Sequence, residues 1–201
     1  MALGLVTWPM VEFEADDAMA TAAHRFHDAV EQVVLCSPDK DLAQCLTVDN
    51  VVMWDRIRDR VLDRASVPEK FGVTPESIPD YLALVGDTAD GIPGIPRWGA
   101  KSAGAVLSHY KHLEAIPPDA RSWVVKVRGA DALADNLRQH GEQALLYRTL
   151  ATLRLDVPLN ETLDDLAFRG VDGPALTLLC VKLGEPDLAE RLIAKHGLRP
   201  A

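Results

Sequence analysis

The sequence predicts an α/β fold: a parallel-sheet piece of about 65 residues leads into an α-helical remainder. Three observations carry this. Short β-branched runs alternate with longer helical patterns over the first third of the chain. Gln32-Val33-Val34-Leu35-Cys36 is a compact apolar run of the kind a buried parallel strand requires. From Ser66 onward, helical patterns follow one another between turn residues.

In chain order, Leu5 to Val11 reads as a short strand with Pro9 near its end. Glu14 to Val30 is Ala-rich and helical, and its acidic first turn suits the helix dipole. The run Gln32–Cys36 ends at Ser37-Pro38, and Asp39 to Leu46 reads as a short helix. Val51 to Asp55 and Arg60 to Asp63 pair as a hairpin. Val67 to Phe71 and Pro75 to Gly86 are helices, with Thr74-Pro75 as an N-cap and N1 pair. A Gly/Pro-dense segment from Gly86 to Gly99 precedes a helix from Lys101 to about Lys111. Ala130 to Leu155 is a long helical pattern with a possible break at Gly141. Thr177 to Leu183 and Leu188 to His196 close the chain. The expected domains are 1–65, 66–125 and 126–201.

The 201 residues are 48% apolar and 25% charged, which excludes wholesale disorder and collagen-like repeats. No apolar run reaches the roughly 18 residues of a membrane span. The opening MALGLVTWPM lacks a basic n-region and a cleavage site, so no secretory signal is expected. Cys36, Cys45 and Cys180 are scattered without CxxC spacing, which disfavours a disulfide framework or zinc knuckle and favours a reducing cytoplasm. Cys36 and Cys180 sit in apolar runs and are expected in the core. The net charge is −9, so any contact with nucleic acid must come from a local patch of Lys and Arg.

Three acidic motifs stand where α/β folds build sites: Glu14-Ala15-Asp16-Asp17 at a helix start, Asp39-Lys40-Asp41 past a strand end, and Gly86-Asp87-Thr88-Ala89-Asp90-Gly91. Taken singly they read as helix capping, a solvated turn and a loop. Together, seven carboxylates would repel one another strongly without cations, and hard divalent ions take oxygen ligands. The three motifs are therefore expected to converge on a two-ion phosphodiesterase centre. Gly91 to Ala103 then opens directly onto a helix. Glycine permits close approach to the N–H groups of that helix start, and Lys101 and Ser102 add a charge and a hydroxyl, which together suit a phosphate. An ordinary helix–turn–helix link would use similar residues.

EADD, SPDKDLAQC, and YLALVGDTADGIPGI followed by GAKSA stand in an order that resembles the 5′–3′ exonuclease or flap endonuclease family, including the nuclease domain of bacterial DNA polymerase I. The likeness runs from about residue 3 to 116. It implies a partial parallel-sheet, PIN-like nuclease domain, then a helix–three-turn–helix element that grips duplex DNA. It implies metal-site acids at Asp16, Asp17, Asp39, Asp41, Asp87 and Asp90, with Glu14 as a lesser ligand. The implied cofactor is Mg²⁺ or Mn²⁺, as two ions, with a monovalent cation at the Gly-rich turn. The implied DNA contacts are Gly94, Arg97, Trp98, Gly99, Lys101 and Ser102. The expected partner is DNA with a 5′ end or flap, handled by a monomer in the cytoplasm at the nucleoid, without membrane contact.

Family members carry a strand with another essential Asp, a second acidic motif and a helical arch ahead of the first matched motif. The chain is accordingly expected to be an N-terminally truncated or divergent nuclease and a poor catalyst. Arg97 stands where the family usually has Gly, and Gly91 where Asn is common. The alternative is a DNA-binding module with impaired catalysis. A generic Mg²⁺ phosphatase leaves the Gly-rich turn unexplained. Arg56, Arg58, Arg60 and Arg64, interleaved with Asp55, Asp59 and Asp63, read as a solvated hairpin whose charges nearly cancel. Trp54 and Trp98 are expected to be partly exposed.

Overall fold

The computed structural model describes residues 2–196; Met1 and residues 197–201, at the ends of the first and third expected domains, lie outside the described residues. The chain divides into two compact units, Asp16–Val157 and the flanking segments up to residue 15 and from Pro158 onward.

In the larger unit, helix α1 (Ala15–Phe26) places Asp16 and Asp17 in its first turn and buries an Ala-rich face. Strand β1 (Val33–Leu35) follows, then a 3₁₀ segment, Lys40–Cys45, started by the Asp39 carboxylate, which accepts the Asp41 N–H at 3.1 Å. Strand β2 (Val51–Asp55) runs parallel to β1, with Val33 opposite Val51 and Leu35 opposite Met53. The intervening residues suffice for a parallel crossover without a full α-helix. Strand β3 (Arg60–Leu62) returns antiparallel to β2. Helix α2 (Ser66–Phe71) ends at Gly72 in the left-handed conformation.

Helix α3 (Ile78–Val85) is the hub. Ile78, Leu82, Ala83 and Leu84 are fully buried, and Asp80, the helix's one charged residue, is buried too and accepts the Leu113 N–H at 3.0 Å. The helix packs against the 40–45 segment, against α4 (Ala100–Tyr110) and against α6 (Gly141–Ala151), which α5 (Ala130–Gln139) precedes. A Cβ at Gly104 of α4 would lie 2.9 Å from the Phe71 carbonyl oxygen, so the end of α2 and α4 meet backbone to backbone. The core joins Leu42, Leu46, Val51, Val67, Leu82, Val106 and Leu107. In the smaller unit, α7 (Gly173–Lys182), capped by the Asp172 carboxylate on the Ala175 N–H, packs on α8 (Leu188–His196) around Val171, Leu176 and Cys180.

Several expectations need correction. Residues Leu5 to Val11 form no strand. Val11 is 95% exposed, and an apolar run without a strand to pair with stays irregular. The buried-strand reading of 32–36 shrinks to three residues, with Leu35 buried on one face and Val34 and Cys36 exposed on the other, which nothing among the described residues covers. Thr74-Pro75 starts a 3₁₀ turn, and α3 begins three residues later. The 130–155 pattern breaks just before Gly141, as its composition allows. Trp98 is buried: its indole N–H donates to the Leu133 carbonyl at 3.1 Å and its ring tilts against Trp123. It anchors the turn from beneath and is withdrawn from the DNA-facing set. No helix among the described residues is long and apolar enough to cross a membrane.

Candidate metal centre and adjoining turn

Two loops meet to form the acidic centre. The first leaves the C-terminal end of β1. Ser37 Oγ accepts the Asp39 N–H at 3.1 Å, Asp39 in turn holds the Asp41 N–H, and Asp41 is carried into a buried position. The second leaves α3 at Gly86. Asp87 and Ile92 exchange both backbone hydrogen bonds, each 2.7 Å, which closes the loop that bears Asp87 and Asp90. Gly86 (φ +88) and Gly94 (φ +73) pinch its neck. A Cβ on Gly94 would lie 2.6 Å from the Gly86 nitrogen, so neither position has room for a side chain.

One carboxylate oxygen from each of Asp41, Asp87 and Asp90 lies within 4.8 Å of the other two. Among the described residues this is the only such cluster of three. Burial, then the charges of Asp39, Asp87 and Asp90, push the Asp41 carboxyl up to about 8, and Asp41 Oδ1 is buried without a hydrogen-bond partner. Burial also pushes Asp87 upward, but the Lys40 ammonium, paired with its Oδ2, and the Ala89 N–H outweigh this and hold it below the ordinary value. Burial lowers Lys40, and Asp87, Asp41 and Asp39 more than restore it. The cluster thus copes with its own charge in two ways, by keeping a proton on Asp41 and by borrowing a lysine at Asp87. An orphaned buried oxygen in an all-carboxylate set fits a hard divalent cation.

The remaining acids are placed differently. Asp39 caps the 40–45 segment and acts on Asp41 through its charge. Asp16 lies close enough to Cys45, at the other end of that segment, to raise its thiol, after burial, to about 12. Asp17 is buried and accepts the Arg154 N–H at 2.8 Å. Glu14 is exposed and belongs to the smaller unit. The structure therefore joins the second and third motifs and leaves the first outside the cluster. Lys40 was not singled out from sequence, because a lysine between two aspartates reads as solvated.

Beyond the neck, the Ile95 N–H bonds the Leu84 carbonyl, which ties the turn to α3. Arg97 takes φ +70, a left-handed conformation that glycine adopts freely and a side-chain-bearing residue does not. At the start of α4 the Ser102 hydroxyl accepts the Gly99 N–H and donates to its carbonyl, 3.1 and 2.9 Å. Open space surrounds Gly99. Arg97, Lys101 and Ser102 line a shallow groove there with Lys126 and Arg128. These last two cations belong to a segment with no element signal and were missed.

The family described as 5′-3′ exonuclease, N-terminal resolvase-like domain, matches residues 1–72, and the 5′-3′ exonuclease, C-terminal SAM fold, matches residues 73–174. The chain is 38% identical over 164 residues to a DNA polymerase I of Rhizobium leguminosarum, covering 82% of this chain and 16% of that one. A 5′-3′ exonuclease of Buchnera aphidicola subsp. Schizaphis graminum is 32% identical, covering 83% and 58%. A flap endonuclease Xni of Yersinia enterocolitica is 36% identical, covering 82% and 63%. The chain thus spans less than two thirds of these relatives. In fold it resembles the T5 D15 protein co-crystallised with metal ions (TM-score 0.62, 22% identity, 73% of this chain and 52% of that one). It resembles the T5 5′-exonuclease mutant K83A similarly (TM-score 0.60, 23% identity, 73% and 58%). On these grounds the chain belongs to the 5′-3′ exonuclease family.

Proposed function

We propose that the chain is a metal-dependent, structure-specific 5′ nuclease acting on DNA. The observation that carries this is the convergence of Asp41, Asp87 and Asp90, with one buried carboxylate oxygen left unpartnered, the last two on a loop continuous with the cationic turn at α4. A relative named as a flap endonuclease and a T5 structure with DNA and metal ions point the same way. Asp41, Asp87 and Asp90 would hold Mg²⁺ or Mn²⁺, and Asp39 would keep Asp41 in place. Such an ion supplies an acidified water and a charge for the scissile phosphate. Lys40 would have to leave Asp87 as the site loads. Arg97, Lys101 and Ser102, with Lys126 and Arg128, would take phosphates of the duplex, and Gly94 and Gly99 would give backbone room. Asp16 and Asp17 are retained as candidate ligands of a second ion, and the turn as a monovalent-cation site. The functional division follows the boundaries 1–65, 66–125 and 126–201, in a monomer at the nucleoid.

A second reading is DNA binding without turnover. Asp17 is committed to the Arg154 N–H and stands outside the cluster, and two-ion hydrolysis needs ligands for both ions. Mg²⁺-dependent cleavage of a 5′-flapped duplex, run beside a gel shift in Ca²⁺, separates the two. Cleavage lost in Asp87→Asn supports the nuclease. A Ca²⁺ shift without Mg²⁺ cleavage supports the binding module.

A further inference from the structure

Lys40 is a cation set inside the acidic centre, and the fold leaves it one way to move. Its ammonium pairs with Asp87 Oδ2, and Asp41 and Asp39 lie near enough to favour its charge. The Asp87 side chain is 3% exposed and that of Lys40 36%, so the lysine reaches inward from the solvent side. The backbone beneath it is held. Lys40 opens the 40–45 segment, in which Leu42 and Ala43 are fully buried. Gln44 fastens that segment to the end of α6 and the chain beyond, donating to the Ala151 carbonyl at 2.8 Å and accepting the Leu153 N–H at 3.3 Å. Any rearrangement at Lys40 therefore falls on its flexible side-chain stem.

Loading the centre requires such a rearrangement. A carboxylate oxygen of Asp87 lies within 4.8 Å of its counterparts on Asp41 and Asp90. A divalent ion bound among them would share Asp87 with the ammonium, and two cations that close in a part-buried site repel strongly. With Asp41 and Asp87 turned to the ion, the carboxylate left beside Lys40 is Asp39. Its Oδ1 already accepts the Asp41 N–H at 3.1 Å, and a part-exposed ion pair between neighbours holds little. A phosphodiester drawn to the same ion offers the freed ammonium a charged acceptor without that competition.

We propose that Lys40 couples the two ligands of the site: it holds Asp87 until a divalent ion displaces it, and the freed ammonium then takes a phosphate oxygen of the bound strand. The inference rests on the nuclease reading. It makes Lys40 a competitor of the ion while DNA is absent and a partner of the DNA once the ion is present. By linkage, whatever the lysine adds to the ion's effect on DNA affinity it adds equally to the effect of DNA on ion affinity.

Measurements on the full chain test this without turnover. Mn²⁺ binding in the absence of DNA, read from the paramagnetic resonance of free Mn²⁺, should be about tenfold tighter in Lys40→Met than in wild type, because the competitor is gone. Binding of a fluorescent 5′-flapped duplex is read by anisotropy over a series of KCl concentrations, in EDTA and in Ca²⁺. The change from EDTA to Ca²⁺ should add about one unit more to the salt slope of wild type than to that of Lys40→Met. Lys40→Arg keeps the charge and should follow wild type in both assays. Lys40→Met is expected to be less stable, so a wild-type measurement stands beside it: ¹³C relaxation of the Lys40 Cε should show greater mobility in Mg²⁺ than in EDTA. An unaltered Mn²⁺ affinity or slope change in folded Lys40→Met, or a Lys40 side chain as immobile in Mg²⁺ as in EDTA, would overturn the coupling and leave the nuclease reading standing. A wild-type chain that binds neither Mn²⁺ nor DNA would sink both.

Discussion

Replacing Asp41 by Asn should stabilise the metal-free protein above neutral pH. The ordinary carboxyl value is 3.8, and burial with three acidic neighbours pushes Asp41 to about 8 in the fold. Between those values the folded chain holds a proton that the unfolded chain has released, so stability falls as pH rises. At about 1.4 kcal/mol per unit, the full span sets a ceiling of about 5–6 kcal/mol at pH 8. Asp90 is exposed, and water around it screens part of the repulsion, which brings the expectation to about 2–3 kcal/mol. Asn keeps the shape and never ionises. In urea melts in EDTA, the Asn variant should exceed wild type by only about 1 kcal/mol at pH 4.5. At pH 8 it should exceed wild type by the full amount, or roughly 5–10 °C in melting temperature. Mn²⁺ at pH 8 should narrow the gap, since the ion stabilises the chain that can bind it. A gap independent of pH, or an Asn variant less stable than wild type at pH 8, would refute this account of the cluster.

Lys40→Met should lower stability in EDTA by about 1–3 kcal/mol, because Asp87 stays buried and loses its cation; chemical melts at pH 7 would show it. Arg97→Gly should raise stability by about 0.5–1 kcal/mol by relieving the left-handed backbone, read as a higher melting temperature. In the Ca²⁺ binding assay the same variant should lose about one unit of salt slope, the loss of one phosphate contact. Gly104→Ala should cost about 2–3 kcal/mol, since its Cβ meets the backbone of Phe71; unchanged melting would mean that α2 and α4 separate easily.

Local signals were legible where they decide the structure. Leu188–His196 and the 51–62 hairpin form as their patterns suggest, and DKD and GDTAD meet as the family likeness implies. What escaped reading was long-range or oriented. The partner of Asp17 is the backbone of Arg154, 137 positions away. Trp98 was assigned to the surface because it sits in a turn, yet the Leu133 carbonyl that holds it comes from another helix. Leu5–Val11 has the composition of a strand but pairs with no strand among the described residues, and composition does not report pairing.

The pinched neck at Gly86 and Gly94 has a consequence for tolerance to length change. The acid loop 87–92 and the turn that leads into α4 hang from one clasp, where backbone meets backbone with no side chain to yield. On the nuclease reading, the clasp makes the interval between the cutting point and the gripped duplex a gauge of fixed length, set by the protein and indifferent to base sequence. An insertion at 91–93 would spoil that gauge even where every acid and every cation remained.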